Sequence, residues 1–352
     1  PNLPNPNLKW EQSVQFDLGV EVKFMDDRLS TEFDYFVKTT DGLLGQEQIP
    51  GYFGTGDPTS NLGEIQNKGI EAAVSYRQSV GKVNLTARLN YTTFQNTVTE
   101  VPGTATYLNG WNWPVRNQAI TRMSEGQPVG HFVGYKTLGI FQSDREVFTH
   151  INNSGDPLQP RAKAGDLIFD DVNGDGVINS DDITNIGSPW PDHIIGLSLS
   201  ANWNGFDFSA LLSTQLGHEI YRTYERSDVP YSNYQSFWLD RFTESNPSTE
   251  LPRLVANDPN GNQRPSDFYV EDGSFLRLRN IQLGYNLPSD LLEKVKLSGV
   301  RIYVTANNIF TLTGYRGFDP EIGTNDWILD TGIDKGYYPS NKTVGGGIRI
   351  TM

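Results

Sequence analysis

The sequence predicts an all-β protein whose strands form part of an antiparallel transmembrane β-barrel with long extracellular loops. Apolar and polar residues alternate through about ten runs, several of them ten or more residues long. Short turns alternate along the chain with loops longer than compact domains usually contain, an asymmetry typical of outer membrane barrels. Aromatic residues make up 12% of the 352 residues and there are 35 glycines, which suits aromatic girdles and tight turns.

The alternating runs define the predicted strands. Within 194–217, two runs are joined at Asn204-Gly205, the strongest short-range sequence signal for a β-hairpin. A second hairpin is predicted from strands over 70–80 and 83–94. The other predicted strands are 14–24, 32–38, 130–141, 275–287, 300–308 and 344–352, and the predicted long loops are 41–63, 96–126, 142–191 and 215–272.

A soluble β-sandwich is the main alternative fold, because its strands also bury one face each. Strands of such domains are about 5–6 residues long, whereas several runs here reach ten, so the barrel is favoured. A mean hydropathy of −0.48 does not oppose it, since only every second residue would face lipid. An open set of about ten strands has two unpaired edges, which a bilayer does not tolerate. We therefore expect further strands from the same protein or from another chain.

Composition excludes several functions. The chain has no cysteine, hence no disulfide, zinc thiolate site or cysteine nucleophile. A net charge of −14 argues against a nucleic-acid partner, which needs a basic surface. The first residue is Pro1 and no signal peptide is visible, so we expect a processed or truncated product.

The stretch 165–190 contains a calcium-binding pattern. Oxygen-bearing groups fall at positions 1, 3, 5, 7, 9 and 12 of a twelve-residue loop, and Gly176 occupies position 6, where the chain turns sharply. Position 12 is the shorter Asp and neither flank predicts a long helix, so this is not an EF-hand. A plain acidic turn uses the same residue types, but here the whole pattern is filled. We expect a structural calcium ion held by Asp171, Asn173, Asp175, the backbone carbonyl of Val177, Asn179 and Asp182.

Several stretches together resemble one protein family. They are Gly165-Asp166 with the following DVNGDG, IGSPWPD at 186–192, NGFDFS at 204–209, NPNLKWE at 5–11, NKGIE at 67–71, and the two closing stretches 303–323 and 336–352. Taken in their order along the chain, these stretches are similar to the C-terminal part of the SusC/RagA family, TonB-dependent transporters of the Bacteroidetes outer membrane. The resemblance covers essentially all of residues 1–352.

The resemblance implies a fold and a function for the chain. It implies a 22-stranded barrel in which this chain supplies wall, lumen and loops, while the plug and the TonB-contacting segment would precede Pro1. It also implies import of glycans or peptides, a SusD-like lipoprotein lid, energy coupling through TonB, and a place in the outer membrane lipid. Such barrels usually end in an aromatic residue, whereas this chain ends in Met352.

Aromatic residues in the predicted loops are candidate contacts for a substrate or a partner. Amphipathic rings of this kind are favoured at interfaces, where they stack on sugars or pack against proteins. They could equally anchor the headgroup zone or fold the loops onto themselves. The candidates are Trp111, Trp113, Trp238, Tyr231 and Tyr234. The nearby Glu219, Arg222 and Arg226 are interpreted as solvated loop charges.

The sequence contains no arrangement that predicts an enzyme. The four histidines are not spaced as metal ligands, and there is neither a nucleophile elbow nor a phosphate-binding loop. Carboxylates are plentiful, but no pair is singled out for acid–base chemistry. Two other functions stay open: a secreted calcium-dependent glycan-binding β-protein, and a structural barrel component of a surface or secretion assembly.

Overall fold

The computed structural model describes residues 3–46, 52, 54–56, 58–101, 106–225, 232–293, 296–323 and 327–352. Its main feature is one antiparallel sheet of nine long strands, which we call the wall. Neighbouring strands in the wall follow one another along the chain. They are β1 (Gln12–Phe24), β2 (Leu29–Asp41), β3 (Glu64–Val80), β4 (Val83–Glu100), β5 (His193–Trp203), β6 (Phe206–Leu216), β7 (Phe275–Asn286), β8 (Gly299–Thr313) and β9 (Thr343–Thr351).

The connections at the two ends of the wall differ in length. At one end the strands are joined by 25–28, 81–82, 204–205 and 287–298. Asn204 and Gly205 have φ angles of 44° and 85°, as a two-residue turn between twisted strands requires. At the opposite end lie the four long connections 42–63, 101–192, 217–274 and 314–342, which we call the loop region.

Strand pairing places the apolar residues on one face of the wall. Val74, Leu89, Leu197 and Leu212 are successive cross-strand partners on β3, β4, β5 and β6. Side chains of directly paired residues lie on the same face of a sheet. The row is therefore continuous across four strands, and similar rows follow along the rest of the wall. Large apolar side chains on this face stay exposed, for example Leu18 at 62% and Ile348 at 65%. A continuous exposed apolar face is typical of a surface covered by lipid or by another protein.

The other face of the wall is polar. Arg301 on β8 reaches across β7 to Asp207 on β6, with 2.9 Å between Nε and Oδ2. Gly284 on β7 makes this possible, because a Cβ there would lie 2.5 Å from Asp207 Oδ2 and 2.6 Å from an Arg301 nitrogen. This ion pair is partly screened by solvent and stabilises the wall only modestly. Its position agrees with a water-filled interior on this side.

The predicted strand over 130–141 is wrong. The structure has two short strands there, His131–Gly134 and Thr137–Ile140, in two different small sheets. Residues 131–134 are all buried, so they show none of the one-sided exposure of a wall strand. The wall therefore has nine strands within the described ranges. The predicted hairpin over 70–94 is confirmed, but its strands are longer, reaching Glu64 and Glu100.

Short elements make up the loop region. One sheet contains Tyr107–Asn109, Thr121–Ser124, His131–Gly134 and Thr184–Gly187; another contains Glu219–Arg222, Val270–Asp272 and Ile333–Asp334. Strand pairs are Thr137–Ile140 with Leu167–Phe169, Leu44–Gln46 with Thr59–Asn61, and Asn112–Trp113 with Gln118–Ala119. The helical elements of the loop region are α1 (Asp144–Thr149) and the 3₁₀ turns Ser180–Asp182, Ser236–Asp240, Asp267–Tyr269 and Ile328–Asp330. The short helix α2 (Ser289–Leu292) lies at the opposite end of the wall, in the connection 287–298. Among the described residues, no helix is long and apolar enough to cross a membrane.

The assignment of the two faces can be tested with one pair of substitutions near the middle of β5. We expect Leu199→Arg to destabilise the inserted protein by about 2–4 kcal/mol, because it places a charge in hydrocarbon. Ser200→Arg should cost much less, since Ser200 lies on the polar face between Thr86 and Ser209. Denaturant unfolding in lipid vesicles measures both. Equal costs for the two variants would contradict the assignment.

Candidate functional site in the loop region

The loop region has a hydrophobic core of its own. Trp113, Ile120, Phe132, Tyr221 and Ile333 are buried together, and their chain segments come from three different long connections. The ring centroids of Trp113 and Tyr269 lie 4.7 Å apart in an edge-to-face arrangement. Such aromatic pairs add about 0.5–1.5 kcal/mol each beyond the area they bury. The long connections therefore form a packed body at one end of the wall.

The aromatic candidates from the sequence occupy different environments. Trp113 and Trp238 are 1% and 5% exposed, so both contribute mainly to packing in this conformation. Tyr234 is 40% exposed, and its ring lies 5.6 Å from that of Trp238. Trp111 packs against the same core as Trp113, with Lys335 Nζ 4.3 Å from its ring centroid. Tyr231 falls outside the described residues. Contact of these residues with a substrate stays a prediction.

Three of the candidates meet at one place. Trp113, Tyr234 and Trp238 line a small niche of about 20 Å³. Tyr234 also lines an adjoining open cleft of about 480 Å³, whose wall includes the ion pair between Arg116 and Asp258. An exposed aromatic ring beside planar polar groups can stack on a sugar or a peptide and bond its polar atoms. We call the niche and the adjoining cleft together the aromatic cleft.

A buried charge cluster supports the floor of the aromatic cleft. Arg222 is fully buried between Glu225 at 3.3 Å and Glu271 at 3.2 Å. Trp238 Nε1 donates a 3.0 Å hydrogen bond to Glu225 Oε1, which links the cluster to the cleft. Burial raises the pKa of Glu225, although the charge of Arg222 opposes this. The interpretation of Arg222 as a solvated charge is therefore wrong, because the rings of Phe237, Phe268 and Tyr269 also lie 5.2–5.7 Å from its guanidinium group.

Glu219 is also not a freely solvated charge. Burial raises the pKa of its carboxyl group, while a 2.6 Å hydrogen bond from the Ser188 backbone N–H opposes the shift. Single charged residues carry no sequence signal that distinguishes these two environments. Arg226 falls outside the described residues.

A second set of ion pairs joins the last long connection to the polar face of the wall. Arg277 on β7 is buried and bonds Asp319 at 2.5 Å and Glu321 at 2.8 Å, both in 314–342. Arg279 bonds the other oxygen of Glu321 at 2.6 Å. The pairing of β7 with β6 shifts register between Leu211 and Leu212, so that Arg279 is an extra residue on β7 at this point. Such a bulge can direct neighbouring side chains to the same face. We call this set the Arg277 latch.

The loop with the calcium pattern is folded around its first and last residues. Asp171 accepts hydrogen bonds from the backbone N–H groups of Gly174 at 2.9 Å and Gly176 at 2.8 Å. Asp182 is fully buried and accepts from the Asn173 and Asn179 N–H groups at 3.3 and 2.8 Å. Gly176 has a φ of 87°, as the pattern requires of position 6.

The donor set of this loop suits calcium, but its side chains do not converge as a cage. Five of its pattern positions carry side-chain oxygens, the ligand type that calcium prefers. Within the described ranges, however, no group of three or more His, Cys, Asp or Glu side chains is arranged to hold a metal ion. Carboxylates of the loop bond backbone N–H groups instead. Calcium binding here stays a prediction.

Wall and loop region together define a class of protein: an antiparallel membrane barrel whose long loops form a folded body at one end. Comparison with known proteins agrees. The family model for the β-barrel of TonB-dependent receptor-like proteins matches residues 1–309. The chain belongs to this family.

Individual relatives cover almost the whole chain. The TonB-dependent receptor P3 of Formosa agariphila is 31% identical over 99% of this chain and 35% of its own length. The TonB-dependent receptor SusC of Bacteroides thetaiotaomicron is 28% identical over 97% of this chain and 32% of its own length. A solved structure of the RagAB peptide transporter superposes with a TM-score of 0.78 at 25% identity, covering 99% of this chain and 36% of that chain. The chain thus spans about a third of the length of the proteins it matches, and the resemblance to SusC and RagA is confirmed.

The Arg277 latch should contribute strongly to the stability of the protein. We expect Arg277→Ala to cost about 3–5 kcal/mol, because it leaves the buried Asp319 carboxylate without its charge partner. The measurement is the unfolding midpoint in detergent together with protease cleavage of 314–342.

Two control variants define the outcome for the Arg277 latch. Lys23→Ala breaks the exposed pair with Glu21 and should leave the midpoint unchanged. Replacing both Arg277 and Asp319 by apolar residues should cost less than the single change, since no buried charge is then unpaired. If Arg277→Ala lowered the unfolding midpoint no more than Lys23→Ala does, the latch would be shown not to stabilise the loop.

Proposed function

We propose that this chain forms the C-terminal part of the wall and the extracellular loops of an outer membrane importer of the TonB-dependent type. The observation that carries the proposal is the nine-stranded wall, with its exposed apolar face and its polar opposite face. Lipid would cover the first face, and the second would line a water-filled passage. The loop region would lie at the extracellular mouth, because long loops of outer membrane barrels face outward.

The proposed substrates are glycans or peptides that are too large for porins. The aromatic cleft supports this, since Tyr234 offers an exposed ring and Arg116 and Asp258 offer polar groups beside it. A matching solved structure is described as a peptide transporter, which favours peptides among the two. No catalytic step is proposed: the passage would bind and release an unmodified substrate.

The proposed partners are a SusD-like surface lipoprotein and TonB. The lipoprotein would close over the loop region, whose folded core offers a preformed surface for it. TonB would act through parts of the transporter other than this wall segment. Strands outside this segment would pair with the outer edges of β1 and β9, which have no strand partner among the described residues.

A gene deletion tests the import proposal. A strain that lacks the gene should lose growth on either an oligopeptide mixture or an oligosaccharide mixture as sole nutrient, and the parent gene should restore it. Collapse of the proton gradient with an uncoupler should stop uptake of the same substrate by the parent strain. Unchanged growth of the deletion strain on every mixture would contradict the proposal.

We also propose that the loop 171–182 binds one calcium ion with a structural role. The buried Asp182 carboxylate supports this, because no basic side chain among the described residues forms an ion pair with it. A bound cation would neutralise the charges of Asp171, Asp175 and Asp182. The ion would then hold 142–191 in its folded form.

Calcium should raise the melting temperature of the parent protein, and EDTA should reverse the effect. The variant with Asp171→Ala and Asp175→Ala should lose this response, because it removes positions 1 and 5 of the loop. Asp156→Ala, an exposed acidic change outside the loop, is the matched control. A parent protein whose melting temperature ignores both calcium and EDTA would refute the metal site.

A further inference from the structure

The aromatic cleft contains a side-chain amide that is free to bind a ligand. Gln263 lines both the niche and the adjoining open cleft. Its backbone N–H donates to Asp258 at 2.9 Å, but its side chain forms no hydrogen bond with any residue that the structure describes. The residue is partly exposed, and its side-chain atoms are not among the buried polar atoms without a partner. The amide therefore offers an acceptor oxygen and N–H donors to a molecule in the cleft.

Another glutamine of the loop region shows what such an amide does beside an extended chain. Gln159 Oε1 accepts the backbone N–H of Phe169 at 2.8 Å, and its Nε2 donates to the carbonyl oxygen of Leu167 at 2.9 Å. The strand Leu167–Phe169 pairs with Thr137–Ile140 as well. One glutamine amide thus satisfies the N–H and C=O groups of an extended segment within this protein. Gln263 can pair in the same way with an extended peptide.

A stretch of main chain in the same cleft is also unpaired. Leu254 lines the niche and the open cleft and is 38% exposed. The preceding residue, Arg253, donates its N–H to the carbonyl oxygen of Gly165 at 2.8 Å, whereas the N–H and C=O of Leu254 have no hydrogen-bond partner in the described part of the chain. Leu254 thus offers one donor and one acceptor together. Unpaired main chain of this kind is a template for pairing with an extended peptide.

The carboxylates of the aromatic cleft are already engaged. Asp258 accepts two backbone N–H groups and forms an ion pair with Arg116. Glu225, the other carboxylate that lines the cleft, is held by Arg222 and by the indole N–H of Trp238. Among the described lining residues, no carboxylate is therefore left free for the hydroxyl groups of a sugar, each of which donates a hydrogen bond. This favours a peptide over a glycan.

The rest of the lining suits the side chains of a peptide. Val115, Val255 and Ala256 present apolar groups, and Tyr234 presents its ring. Successive side chains of an extended peptide point in opposite directions, so some can lie against these groups while the main chain pairs with polar ones. The open cleft, at about 480 Å³, lies within the usual range for small-ligand sites.

We propose that the aromatic cleft binds a short, extended peptide by its backbone, with the Gln263 amide and the Leu254 main chain each paired with one peptide unit. The inference rests on the proposed import function and selects peptides from its two substrate classes. Arg116, whose side chain is 35% exposed, would donate to a further peptide carbonyl. These contacts use groups that nearly all peptide units share, so the cleft would accept peptides of different sequence.

Calorimetry with the full-length protein in detergent tests the inference. The probe is a capped pentapeptide of alternating alanine and valine, compared with four analogues in which one internal amide N–H at a time is replaced by an ester oxygen. Two analogues should bind about fivefold more weakly, because each loses one hydrogen bond, to Gln263 or to the Leu254 carbonyl. The variant Gln263→Leu should lose one of these two penalties. Gln95→Leu, an exposed change on the wall outside the cleft, should retain both.

Three results would overturn the inference: no binding of the all-amide peptide, equal binding of all five peptides by the parent protein, or both penalties unchanged in the Gln263→Leu variant. The comparison among peptides in the parent protein needs no substitution, so a folding defect in the variant cannot mask the answer. Failure of import is distinguishable, because backbone-dependent binding without energy-dependent uptake would refute the transport proposal while leaving the specificity of the cleft intact.

Discussion

The structure depends on one constraint: strands in hydrocarbon must satisfy their backbone hydrogen bonds with one another. Eight consecutive antiparallel pairings meet it within the wall, from β1 to β9. Pairing also fixes the register, and a slip of one residue would turn every apolar side chain toward the interior. The short turns maintain that register, as at Asn204-Gly205, where both φ angles are positive. The two faces of the wall, its two ends and the placement of the long loops all follow from this arrangement of strands.

The same pairing determines where recognition can occur. Most connections at one end of the wall are short turns, whereas the four long connections at the other end fold into a body with its own core. Buried charges tie this body together and to the wall, through Arg222 in the loops and Arg277 on β7. Removing one partner of such a pair leaves a charge unpaired in a poorly solvated place. The aromatic cleft is thus held in a relatively fixed position.

Local sequence patterns predicted most of the wall but little of the candidate functional site. Alternation and turn residues predicted all nine wall strands in approximately the right places, because period two and hairpin turns are local properties. The strand over 130–141 was wrong because residues 131–134 are all buried, Phe132 among distant loop segments, and they pair in a different sheet from 137–140. Likewise, the environments of Arg222 and Glu219 depend on contacts with residues distant in sequence, such as Glu271 and Ser188. No spacing in the sequence encodes such contacts.

Accessibility of single spin labels along β5 tests the central claim most directly. The native chain has no cysteine, so one cysteine at a time can be introduced from 197 to 202 and labelled. In lipid vesicles, labels at Leu197, Leu199 and Ala201 should respond to oxygen, which concentrates in the bilayer. Labels at Ser198, Ser200 and Asn202 should respond to a water-soluble nickel chelate. Loss of this two-residue alternation, or its reversal, would contradict the account of the wall as a lipid-facing barrel segment.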